Sequence, residues 1–174
     1  MAVLDILLLP DSRLKQVSEP IDDFSDSELQ RFIDDLEETR QAGPGAVGIA
    51  APQVGFFKRV VIVDCSETRK PVSNHGNLIL INPEITKWDG FEIGREGCLS
   101  VPDYTGNVIR ADKIHLKAFD RYGEQLEFDM EGYEARAVQH EIDHLDGMLF
   151  VDRVVSRRTD LFQRKVYQKS GQSS

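Results

Sequence analysis

The chain has 174 residues, 40% of them hydrophobic and 29% charged, which fits one globular domain with a core of ordinary size. Its 21 Lys and Arg against 30 Asp and Glu give a net charge of −9, and such a chain is a poor general binder of DNA because phosphate repels it. The longest apolar run near the start, residues 6–9, is far too short for a membrane span or a signal-peptide core, and two cysteines build no disulfide framework.

Residues 1–20 read as extended or loop, with Pro10 and Pro20 as breakers. Ser25 and Glu28 form a capping-box pattern, and Leu29, Phe32, Ile33 and Leu36 repeat at helical spacing, so a helix is predicted over 25–41. Gly43-Pro44-Gly45 ends it, and the small-residue stretch GAVGIAAPQVG (45–55) follows. The runs RVVIVD (59–64) and LILIN (78–82) are short, apolar and bounded by turn residues, as strands are. Ile114, Leu116 and Ala118 alternate with polar neighbours, as do Leu126, Phe128 and Met130, and DRYGE (120–124) between them predicts a hairpin. Over 133–146 the spacing of Ala135, Val138, Ile142 and Leu145 is helical again, with Gly147 as C-cap. A last helix is predicted over 158–170.

These elements make an α+β fold: mostly antiparallel strands around a central helix that carries the chemistry, with an N-terminal and a C-terminal helix. No linker or repeat divides the chain. Residues 1–150 form the body and residues 151–174 a basic extension of the same domain. That extension holds six basic and two acidic residues, a net +4, which leaves −13 on the body. A basic tail on an acidic body suits an acidic partner, and a solvated terminal helix is the plainer alternative.

The strongest chemical signal is His140-Glu141-Ile142-Asp143-His144, an H-E-x-x-H pattern inside a predicted helix. Four helical residues turn through about 400°, so the two imidazoles lie about 40° apart on one face, where both reach one cation. Glu141 lies about 60° beyond His144, on the flank of that face, placed to handle protons of a water on the metal. After His144 the chain has neither Glu nor His, so a third ligand must come from upstream. The candidates are Cys65, Cys98, His75 and His115. Cys65 closes a predicted strand, His75 lies in a polar loop and His115 sits on the polar side of a strand. Cys98, preceded by a glycine in Glu96-Gly97-Cys98-Leu99-Ser100, is the best of the four, and its thiolate suits a borderline cation.

Three motifs in order, Gly48-Ile49-Ala50-Ala51-Pro52-Gln53, Glu96-Gly97-Cys98-Leu99-Ser100 and Gln139-His140-Glu141-Ile142-Asp143-His144, resemble the signatures of the peptide deformylase family, at its separations and over essentially the whole chain. The resemblance implies a metal-dependent hydrolase that removes the N-terminal formyl group from formylmethionine of nascent polypeptides. It implies that Cys98, His140 and His144 bind one divalent ion, natively Fe(II), with Zn(II), Ni(II) or Co(II) as substitutes in purified protein. Glu141 would then be general base and acid toward a metal-activated water. Gln53 and the Leu99 backbone N–H would donate to the oxyanion. Val47, Gly48, Tyr133 and Ala137 would take the methionine and the extended substrate, and Glu96 with Arg110 would form a bracing ion pair, worth little if exposed.

One position departs from the family loop: Ala46 stands where a glycine is usual, with Gly45 one place earlier. The resemblance also implies docking on the ribosome through 151–174, no membrane partner, and a bacterial cytoplasmic location, a mature organellar or virus-encoded form looking the same. The competing readings are an H-E-x-x-H peptidase on unformylated peptides, disfavoured by the missing downstream ligand, and a structural metal site, which would need Cys65, His75 or His115 as a fourth ligand.

Overall fold

In the computed structural model, residues 2–164 are described. They form, in chain order, helix α1 (Ser27–Ala42), strands β1 (Gly48–Ala50), β2 (Val60–Asp64), β3 (Asn77–Asp89), β4 (Glu92–Cys98), β5 (Val101–Arg110), β6 (Lys113–Phe119) and β7 (Gln125–Glu131), helix α2 (Gly132–Leu145) and strand β8 (Leu161–Gln163). Five strands make one antiparallel sheet in the order β1-β2-β3-β6-β7, and three make a second in the order β4-β5-β8.

The apolar run of β2 is explained by what covers it. Val60 and Ile62 point to a cluster with Leu29, Ile33 and Leu36 of α1. Val61 and Val63 point the other way, to a cluster with Ala135, Val138 and Leu145 of α2. A strand buried on both faces needs apolar residues at every position, and each such side chain contributes about 1.5–3 kcal/mol. The large sheet thus lies between the two helices. A third cluster, Leu14, Cys98, Val101, Val108, Phe150 and Val151, sits at the small sheet.

Three sequence expectations need correction. The N-cap of α1 is Asp26, which accepts from the Glu28 N–H (2.9 Å), whereas the Ser25 hydroxyl donates to Asp23 (2.6 Å). Strands β4 and β5 have no counterpart in the predicted elements. Their glycines and inward charged residues break the alternation that marks a half-buried strand. The C-terminal helix expected over 158–170 is absent from its described part, since residues 161–163 form β8 and pair with β5, Gly106 opposite Leu161 and Tyr104 opposite Gln163. Residues 165–170 of that expectation lie outside the described residues.

The other elements follow the sequence closely. The 120–124 turn closes the β6–β7 hairpin with an Asp120 N–H to Glu124 carbonyl bond of 2.8 Å. Strand β3 outruns its apolar run: a register shift follows Ile81, where Asn82 takes φ 51° before Pro83, and pairing with β6 resumes at Glu84.

Candidate active site

Helix α2 carries His140, Glu141 and His144 and is buried almost all round, which requires its polar residues to find partners. Gln139 accepts from the Ala111 N–H (3.1 Å) and donates to the Ala111 carbonyl (2.9 Å), tying α2 to the end of β5. Gly147, with φ 75°, ends the helix, and the Met148 N–H donates to the Asp143 carbonyl (2.9 Å).

The strand end of β4 delivers Cys98 to this helix. Sγ of Cys98 and the ring nitrogens of His140 and His144 all lie within 4.8 Å of one another, and all three residues are buried. Sγ is 3.3 Å from His144 Nε2. Among the described residues no other His, Cys, Asp or Glu joins the group. His75 instead bonds Glu134 (2.6 Å), His115 bonds Asp129 (2.7 Å), and Cys65 is buried with its thiol pushed up to about 12, chiefly by burial. A structural site with four protein ligands therefore finds no fourth residue here. One thiolate and two imidazoles suit a borderline divalent cation, and three protein ligands is the number that catalytic sites use.

The expected brace is present and is not a surface pair. Glu96 accepts two bonds from Arg110 (2.9 and 2.9 Å), and both side chains are no more than 5% exposed. Glu96 also accepts from Arg136 (2.6 Å) and from His140 Nδ1 (2.9 Å). A carboxylate on Nδ1 fixes the tautomer and turns Nε2 toward the other ligands. Burial alone would raise the Glu96 carboxyl, but the bonds from Arg110 and His140 outweigh it and hold it well below the ordinary range. Arg110 also donates to Asp143 (2.6 Å), which Arg153 clasps from outside (2.7 and 2.9 Å). Sequence reasoning does not single out Arg136 and Asp143, because charges on an amphipathic helix read as its wet face until the inward acids and bases of β4 and β5 are known.

Glu141 is buried beside the cluster, its Oε1 lies 4.0 Å from His144 Nε2, and that oxygen has no hydrogen-bond partner among the described residues. Burial pushes this carboxyl up to about 7. The same burial carries His144 below its ordinary value. For His140 burial acts downward too, but the Glu141 charge and the bonds with Cys98 and Glu96 raise it. Gly48 is what admits the carboxylate: a Cβ there would stand 2.6 Å from Glu141 Oε2. Close approach to Glu141 is one requirement for a glycine at this position.

Gln53 is oriented by its own turn. Its Oε1 accepts from the Ala50 N–H (2.9 Å), so Nε2 faces Ser100 Oγ (3.1 Å) and Cys98 Sγ (3.5 Å). Leu99 lies between β4 and β5 beside Cys98. A cavity of about 540 Å³ opens onto these groups, and Val47, Tyr133 and Ala137 are in its wall. Ala46 lines it as well, in a turn where its N–H donates to the Gly43 carbonyl (3.2 Å) and its carbonyl accepts from Arg40 (3.0 Å). No described helix is long and apolar enough to cross a membrane.

A buried cluster of one cysteine and two histidines beside an unpartnered carboxylate oxygen and a side-chain cavity is what a metal-dependent hydrolase requires, and comparison with known proteins points the same way. The family model of polypeptide deformylase matches residues 3–160. The peptide deformylase of Thermodesulfovibrio yellowstonii is 42% identical over 165 residues, 95% of this chain and 97% of that protein. A peptide deformylase from Legionella pneumophila superposes with a TM-score of 0.80 at 40% identity, over 88% of this chain and 86% of that one. A class I type b peptide deformylase from Acinetobacter baumannii, solved with Met-Ala-Ser bound, gives 0.81 at 37% identity, over 88% and 99%. With sequence, fold and buried cluster in agreement, the chain belongs to the peptide deformylase family.

Proposed function

We propose that Cys98, His140 and His144 hold one divalent ion, Fe(II) in the cell, and that around it the chain removes the formyl group from formylmethionyl peptides. Zn(II), Ni(II) and Co(II) suit the same donors. When bound, the ion would supply Lewis acidity toward the formyl oxygen and make water a better nucleophile at neutral pH. The remaining work falls to the chain's own groups. Glu141, buried with an unpartnered oxygen beside the cluster, takes a proton from the attacking water and passes it to the leaving amine as the C–N bond breaks, giving formate and a free N-terminus. The charge that develops on the formyl oxygen is met by Gln53 Nε2, which the Ala50 N–H holds in the donor orientation, and by the Leu99 N–H. Val47, Tyr133 and Ala137 receive the methionine side chain, and Gly48 leaves room for Glu141 and the peptide.

The observation that carries this reading is the three-donor cluster beside an unpartnered carboxylate oxygen. That the Acinetobacter relative was solved with Met-Ala-Ser bound supports a peptide as the product. The test is an anaerobic assay of Fe(II)-loaded protein on formyl-Met-Ala-Ser and its unformylated twin. Formate from the first, with the peptide bonds of both intact, is the expected outcome. Cleavage of an internal bond would overturn it.

We also propose that residues 1–150 form the catalytic body in a bacterial cytoplasm and that the basic extension 151–174 docks on the ribosome. Val151 is buried and β8 pairs with β5, so the test is a truncation after Arg164 combined with Arg157→Gln and Arg158→Gln, which keeps β8 and removes four of the six basic residues of the extension. Unchanged ribosome binding and salt dependence would refute the docking.

A further inference from the structure

Three arginines stand in the wall of the substrate cavity, Arg95, Arg136 and Arg164. Arg136 is fully engaged by Glu96 and by the carbonyls of Val108 (3.0 Å) and Glu92 (2.7 Å). The other two are held differently. Arg95 donates to the neutral acceptors Asn107 Oδ1 (3.2 Å) and Thr105 Oγ1 (3.3 Å), and its guanidinium lies 3.8 Å over the Phe162 ring. Arg164 is anchored through its N–H to the Asp103 carbonyl (2.7 Å), and its Nη2 rests on Gly97, where a Cβ would come within 2.5 Å of it. Among the described residues neither guanidinium pairs with a carboxylate, and residues 165–174 contain no Asp or Glu. In a chain with 30 acidic residues against 21 basic ones, two guanidinia with no acidic partner among the described residues at one cavity mouth are placed for an external anion.

Strand β8 is what assembles this pair: Phe162 is the stacking surface for Arg95, and Arg164 follows directly after the strand. Arg95 and Gly97 lie on the exposed face of β4, opposite the buried Glu96 and Cys98. An extended peptide turns successive side chains to opposite sides with a rise of about 3.3 Å. With its methionine toward Tyr133 and Ala137, the residues behind it pass the mouth where these two guanidinia stand.

We propose that Arg95 and Arg164 bind an acidic side chain in the first two residues after the methionine, so that formylated peptides with an early Asp or Glu are preferred substrates. The inference rests on the deformylase reading above. Guanidinium offers two parallel N–H groups to a carboxylate, and at an exposed mouth the contact is worth a modest, salt-sensitive factor.

The test measures kcat/KM for C-terminally amidated formyl-Met-Ala-Ser and for peptides with Asp or Lys in the second or third place. Calorimetry with the matching unformylated peptides reads binding alone. At low salt the Asp peptide is expected to exceed the Lys peptide by about tenfold at one position or both, in kcat/KM and in affinity. The ratio is expected to fall to about twofold or less in about 0.5 M NaCl and in Arg95→Gln/Arg164→Gln, with Arg164→Gln alone between. An Asp/Lys ratio below about twofold in the unaltered protein, or a full ratio persisting in the double variant, would overturn the proposal. Equal formate release from every peptide sinks only the acidic preference, whereas no formate from any of them sinks the deformylase reading and this inference with it.

Discussion

Glu96→Gln tests how the metal-bearing helix is held. The carboxylate accepts two bonds from Arg110, one from Arg136 and one from His140 Nδ1, all between 2.6 and 2.9 Å, in a site where its side chain is 5% exposed. An amide has one acceptor oxygen and turns an NH₂ toward one of those donors, leaving the Arg136 guanidinium without a counter-charge and Arg110 with Asp143 alone. Removing one member of a buried pair costs about 3–5 kcal/mol. For a chain of this size that corresponds to a fall in Tm of roughly 6–20 °C. His140 also loses the group that fixes its tautomer, and divalent-metal affinity is expected to fall about 10–100-fold. The pH dependence has a definite sign. Because the folded carboxyl lies below its ordinary value, its contribution is complete above the unfolded carboxylate pKa of about 4.3 and is lost as pH falls below it. The gap between unaltered protein and variant is therefore widest at neutral pH and narrows on acidification. Metal-free thermal and denaturant melts at neutral and acid pH, with chelator competition for affinity, measure all three. A change below about 1 kcal/mol at neutral pH with unaltered metal affinity would refute the reasoning.

Other perturbations follow from the same geometry. Gly48→Ala places a Cβ 2.6 Å from Glu141 Oε2, so the carboxylate must move; a loss of about tenfold or more in kcat with the fold intact by circular dichroism is expected, and full activity would show that Glu141 has slack. Gln53→Ala removes the oriented donor Nε2, and kcat is expected to fall about 100-fold with little change in metal content, a result that a shared fall in both would contradict. Metal binding must displace protons from His140, which its neighbours hold above the ordinary value; chelator competition should therefore show affinity falling as pH falls, and a flat profile would contradict the ligand assignment.

What the sequence revealed and concealed divides along physical lines. The three-donor cluster was legible because i, i+4 spacing on a helix fixes two histidines on one face, and only one upstream cysteine sat among glycines. β2 was legible because burial on both faces demands an unbroken apolar run. β4 and β5 were not, because Glu96, Arg110 and the glycines there serve the site rather than the sheet. The C-terminal helix failed for a related reason: Leu161 and Phe162 satisfy helical and extended patterns alike, and the open edge of β5 decides between them. Arg136 and Asp143 could be recognised as buried only after Glu96, Arg110 and Arg153 were seen to meet them.

The central claim is that Glu141 moves the proton at a cluster that holds the ion without it. The most direct measurement is formate release from formyl-Met-Ala-Ser by Glu141→Gln, with bound iron quantified in the same anaerobic sample. One ion per chain is expected in variant and unaltered protein alike, with a rate about 100–10,000-fold lower in the variant. A variant that keeps its iron and retains the rate would contradict the assignment of Glu141. A variant that loses its iron would show that Glu141 belongs to the ligand set instead.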